Sequence, residues 1–128
     1  MKKIFFSIVI ILFSVSAFAQ FKITELDSVK AGTTSSDAID LNGRVIAGIV
    51  FPATFTGATI TITTSPDTVS ANFKTLQYGG TDVTLTASDG KYCAFKPVEI
   101  WGLLRYVKII SASTEASTRN LIIYLTRL

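Results

Sequence analysis

The 128-residue chain has no histidine, one cysteine, one tryptophan, one methionine and three prolines. Without histidine there is no Ser-His-Asp or Cys-His arrangement and no imidazole to bind a metal. A single cysteine, Cys93, excludes an intramolecular disulfide and a thiolate zinc site. No Gly-rich loop opens a helix, so there is no phosphate cradle. The nine acids are Glu25, Asp27, Asp37, Asp40, Asp67, Asp82, Asp89, Glu99 and Glu115. Most stand at turns, where a carboxylate ordinarily caps its own backbone. Two of them converging for glycoside hydrolysis is the catalytic arrangement left open. Asp82 and Asp89 suit a structural calcium loop by position, but no acid-rich ligand spacing supports one. The chain therefore reads as a non-enzyme, with no catalytic residue, cofactor or metal.

What is present begins with an export signal. Met1-Lys2-Lys3 precedes an apolar run from Ile4 to Phe18 and the small-residue site Ala17-Phe18-Ala19. A basic start, a short apolar stretch and an Ala-x-Ala site make a secretory signal peptide over residues 1–19, cleaved before Gln20. The run is shorter than the ~20 residues that span a bilayer, so no membrane attachment is expected after cleavage. The expected location is periplasmic or extracellular. Loss of Lys2 and Lys3 takes the formal charge from +3 to +1, which leaves no electrostatic footprint for nucleic acid. The remaining 109 residues suffice for one domain with its own core.

That domain alternates as β-structure does. Phe21 to Leu26 reads as an edge strand and Asp27 to Ser36 as a loop, so residues 20–35 form an N-terminal edge strand and loop. Residues 36–128 form the β-sandwich domain. Asp37 to Leu41 leads into Asn42-Gly43, a signal for a two-residue hairpin, and Val45 to Phe51 reads as a central strand apolar on both faces. Phe55 plugs one end of the core. In Ala58 to Thr64, Ile60 and Ile62 face in while Thr59, Thr61 and Thr63 face out. Asn72 to Tyr78 breaks the two-residue period, as a bulge does. Gly79-Gly80 marks a turn before Asp82–Ala87, and Asp89-Gly90 signals a further hairpin feeding Lys91–Lys96. Pro97 to Gly102 suits one helical turn, and Leu103–Ser111 and Arg119–Thr126 close the chain. About eight or nine strands with at most one helical turn predict an all-β, antiparallel β-sandwich of jelly-roll type.

Cys93 reads as a small buried residue of that core. Trp101 is the candidate ligand-binding aromatic: it is either displayed to a flat ligand such as a sugar ring or seals one end of the core. Tyr78, Tyr92, Tyr106 and Tyr124 are the other rings a glycan could use. Leu103–Ser111 and Leu121–Leu125 carry apolar residues on both faces, more than one inner sheet face can bury. Either Phe21 to Leu26 folds over the surplus or the surplus is an interface, and an interface is the expectation here.

The order of segments resembles a family of small virion-associated proteins of tailed bacteriophages. The resemblance rests on Asp40-Leu41-Asn42-Gly43-Arg44-Val45, Phe51 to Ala58, Thr81 to Leu85, Gly90 to Pro97, Gly102 to Ile109 and Arg119 to Ile122, spanning residues 36–126. It implies a structural β-sandwich that decorates or joins parts of a particle, as a homo-oligomer or against virion proteins, with no catalytic residues to carry over. Ser65 to Ser70 departs from the Gly-Gly-Thr turn of that family, and the leader departs from cytoplasmic virion assembly. With the leader, the same sandwich also reads as a secreted or cell-surface module that binds glycan or another surface ligand.

Overall fold

In a computed structural model of the protein the described residues are 23–96 and 102–127. The expected leader, the expected helical turn at Pro97–Gly102 except its last residue, and Trp101 lie outside them. Among the described residues the chain is all-β and sandwich-like: two antiparallel sheets share one core, and a two-stranded hairpin projects from it. The strands are β1 (Ile23–Val29), β2 (Ile39–Asp40), β3 (Val45–Val50), β4 (Thr59–Ser65), β5 (Lys74–Thr75) and β6 (Gln77–Tyr78). They continue with β7 (Thr81–Asp82), β8 (Thr84–Thr86), β9 (Tyr92–Ala94), β10 (Tyr106–Ser111) and β11 (Arg119–Thr126).

The first sheet runs β1-β11-β3-β9; the second runs β2-β10-β4, with β5 and β8 both pairing β4. The pairings nest: β1 with β11, β2 with β10, β3 with β9 reached through one sheet, and β4 with β8. The chain thus resembles one long hairpin whose two arms travel together between sheets, and the β6–β7 hairpin is its tip.

Both sheets present a buried apolar face to the core. In the second, Ile60 and Ile62 of β4 and Val107 and Ile109 of β10 are buried, while Thr59, Thr61 and Thr63 alternate outward, as the period requires. In the first, Leu121, Ile123 and Leu125 of β11 are fully buried. The central strand β3 does not keep strict alternation. Its pairing with β11 steps from Tyr124↔Gly48 to Leu125↔Ile46, leaving Ala47 as an extra residue. This bulge puts Ile46 and Ile49, three apart, both into the core. Phe55 is buried over Phe51, their ring centroids 5.0 Å apart.

The structure corrects several expectations. β1 continues through Asp27 to Val29, because the whole of Ile23–Val29 finds partners along β11. Asn42 and Gly43 do take the positive φ of a tight turn, 46° and 73°, closed by the Arg44 amide donating to the Leu41 carbonyl at 2.9 Å. Yet the arms do not pair: β2 belongs to the second sheet and β3 to the first. The same holds at Asp89-Gly90, where β8 and β9 part into different sheets. Only Gly79-Gly80, of the three signals, joins a paired hairpin. The irregular Asn72–Tyr78 segment is a short 3-10 turn, Ser70–Asn72, followed by two two-residue strands. They break at buried Leu76, where the chain leaves the second sheet. Cys93 is half-buried rather than buried. It faces inward opposite Ile49, but on the short edge strand β9 the core does not close over it.

Candidate functional site

The outward face of the first sheet is unlike an ordinary solvated one. Register aligns Leu26, Ile122, Val50 and Tyr92 in one row across β1, β11, β3 and β9. The next row is Thr24, Tyr124, Gly48 and Ala94, and Ser28 lies opposite Asn120 beyond Leu26. No residue of these rows is charged. Leu26, on the edge strand, is 78% exposed and Tyr92 46% exposed. Antiparallel sheets with one wet side normally alternate apolar-in and polar-out. Here the charges of β1 are reversed: Glu25 and Asp27 lie opposite Ile123 and Leu121, on the inner side. The outward face of the second sheet is of the usual kind, with threonines and Lys108, whose ammonium sits 4.5 Å from the Phe73 ring centroid.

Gly48 makes this face pack. A Cβ there would stand 2.6 Å from Tyr92 Cζ and 2.7 Å from the Cys93 carbonyl oxygen, so the Tyr92 ring lies down across a position that only glycine leaves open. Tyr92 then meets Tyr124 edge to face, centroids 5.3 Å apart at 84°. Of the five aromatics singled out from the sequence, these two are brought together. Tyr78 is exposed on the projecting β6 strand, and Tyr106 is half-buried under the Arg105 guanidinium, 5.1 Å away. The chain just after Trp101, Leu103 to Arg105, lines an open cleft of about 390 Å³ with the Asn42-Gly43 turn and Arg44. Arg105 is held there by Asp40 at 2.9 Å, and this hydrogen-bonded pairing holds the exposed Asp40 carboxyl below its ordinary value.

Asp40 and Asp67 cap their own backbone, as turn acids ordinarily do, while Asp82 takes a side-chain donor. Asp67 Oδ1 accepts from the Val69 amide at 2.9 Å, Asp40 from the Asn42 amide at 3.0 Å, and Asp82 from Gln77 Nε2 at 2.7 Å. Among the described residues no three His, Cys, Asp or Glu side chains gather to hold a metal ion. No helix among them is long and apolar enough to cross a membrane.

Glu115 is the exception that sequence reasoning missed. It comes from the β10–β11 loop, is fully buried, and accepts from the Thr56 and Gly57 amides at 3.1 Å and from Arg119 Nε at 3.1 Å. Its own amide donates to the Thr33 carbonyl, and its carbonyl accepts from the Gly32 amide. Three loops meet on one residue. Burial works to raise its pKa, but the Thr56 and Gly57 donors and Arg119 outweigh it and hold the carboxyl below its ordinary value. A carboxylate so saturated with donors is a tie, not an acid or base. The signal available in the sequence was an acid and an arginine four apart in a loop, which is too common to single out.

Asp27 is shifted the other way. Burial, aided by the charge of Asp37, pushes its carboxyl up, against the Ser28 amide at 2.7 Å and nearby Ser36. The Ser36 hydroxyl donates instead to the Asp37 carbonyl, and Asp27 Oδ2 is buried without a hydrogen bond. A raised carboxyl favours the fold below its unfolded value of about 3.8 and costs stability as pH rises through the folded value. Asp27→Asn, which keeps the acceptor for Ser28, is therefore expected to stabilise the protein by ~1 kcal/mol or less at pH 7, with the gain vanishing near pH 3. Urea unfolding at the two pH values measures it; a loss of stability at pH 7 would contradict the reading.

No family model, curated protein or solved structure matches this chain.

Proposed function

We propose that the protein is a non-catalytic structural β-sandwich of jelly-roll type, virion-like and exported, which decorates or joins parts of a particle and works by association of surfaces. The uncharged row Leu26–Ile122–Val50–Tyr92 carries this reading, since exposed contiguous apolar surface rimmed by polar residues marks an interaction site. The strand order supports the jelly roll: first strand beside last and second beside second-last, in two four-stranded layers with β5 to β7 as an insertion. That architecture serves capsid proteins and lectins alike. Mass spectrometry of purified phage particles from the host tests the virion role. The chain is expected in the particles, beginning at Gln20. Its absence from particles, with recovery from the periplasm or medium, counts against that role.

A second reading has its own support in the Tyr92–Tyr124 pair, a surface aromatic platform of the kind that stacks on sugar rings. It makes the protein a secreted glycan-binding module. Binding to a panel of host polysaccharides that is lost in Tyr92→Ala selects it over the first.

A further inference from the structure

We infer that the first sheet's outer face takes a second copy of this chain, stacked sheet on sheet across the Leu26–Ile122–Val50–Tyr92 row, in a reversible dimer. The inference rests on reading that face as an association surface, and it names the occupant.

Three observations converge on it. The rows from Ser28–Asn120 to Thr24–Ala94 carry no charge, so two copies meet there without the self-repulsion that a patch of one sign creates. A two-fold contact requires a patch that is complementary to itself. Leu, Ile, Val and Tyr projecting from a sheet are what fill the space between two packed sheets ~10 Å apart.

The alternative route, strand beside strand at the sheet edge, is closed. β9 offers only three residues. β1 offers seven, but it carries Glu25 and Asp27 on its inner side. An antiparallel copy centred on Leu26 would set Glu25 of one molecule against Asp27 of the other. Inward charges on an edge strand are a recognised guard against such pairing. Association is thereby directed from the edge to the face.

The size of the face sets the strength. Four strands at ~4.8 Å spacing and five residues at ~3.4 Å give a patch of roughly 20 by 20 Å, or ~800 Å² in projection for the pair. That is below the ~1,200–2,000 Å² of stable complexes, so the dimer forms and dissociates with concentration.

Sedimentation of the protein recovered from expression of the full chain, from ~1 μM to ~1 mM, tests this. The wild type is expected to pass from monomer to dimer within that range. Leu26→Glu, at a position 78% exposed and therefore harmless to folding, is expected to raise the midpoint at least ~tenfold. Leu104→Glu, an exposed apolar position off this face, is expected to leave it unchanged. Amide exchange of Ile23–Val29 should not slow with concentration, as it would in edge pairing. A strict monomer at ~1 mM overturns the inference, as does a dimer indifferent to Leu26→Glu or one that protects the β1 amides. A monomer in which Leu26→Glu lowers stability points to the chain's own N-terminal residues covering the face, and also overturns it. Particle association or glycan binding by such a monomer leaves the proposed function standing, whereas a dimer found in neither setting removes that function and keeps the inference.

Discussion

Glu115→Ala is expected to destabilise the protein by about 3–5 kcal/mol at pH 7, the largest loss of any single polar substitution among the described residues. The side chain is fully buried and takes donors from the loop that follows β3 and from Arg119. Removing it strands the Thr56 and Gly57 amides, whose desolvation is no longer offset. It also leaves Arg119, itself only 18% exposed, without its anion. Arg119 is further tied to Thr54 Oγ1 at 2.7 Å, so the loss spreads through the whole loop end of the molecule. Glu115→Gln keeps the shape but loses the charge and turns an amide NH₂ toward donors; about 2–3 kcal/mol is expected.

The depressed carboxyl makes this contribution depend on pH. It is fully present above the ordinary value of 4.5 and is lost as pH falls through the lower folded value. The wild type should therefore lose stability below about pH 4.5, and its advantage over Glu115→Gln should narrow as the pH drops further. Urea unfolding of both proteins at pH 7 and in acid is the measurement. Equal stability at pH 7 would falsify the account of Glu115 as a tie between loops.

Gly48→Ala is expected to cost about 2 kcal/mol although it adds one methyl group on the outer face. The Tyr92 ring can swing away, being partly in solvent, but the Cys93 carbonyl oxygen at 2.7 Å belongs to the β9 backbone. The methyl can be admitted only by moving β9 away from β3. Cys93, half-buried on that strand, then becomes the reporter: its labelling by a thiol reagent should quicken in the variant. Adding Tyr92→Ala should recover only the part of the loss due to the ring, so the two substitutions are expected not to be additive. Full recovery in the double variant, or unchanged labelling of Cys93, would show that the ring alone filled the space.

Much of this protein is legible in local sequence. The two-residue period of Thr59–Ser65 tells which side of β4 is wet, because side chains of a strand alternate whatever sheet it joins. Asn42-Gly43, Gly79-Gly80 and Asp89-Gly90 mark tight turns, because their glycines, and Asn42 beside one of them, take positive φ at little cost. The lack of histidine and the single cysteine remove whole classes of chemistry before any fold is known. All of these are properties of a residue and its near neighbours.

The tertiary structure decided what lies beyond them. A turn signal says that the chain reverses, not which sheet each arm enters; β2 and β3 part at Asn42-Gly43 because β10 and β11, more than sixty residues away, supply their partners. Alternation failed in β3 because the Ala47 bulge is defined only against β11. The uncharged row exists only once register lines up four separated residues, each ordinary in its own segment. Glu115 reads as a loop acid until three loops close on it. Composition, period and turn chemistry are local and so are written in the sequence; sheet partners, register and burial are set by pairings across the whole chain, and only the folded molecule contains them.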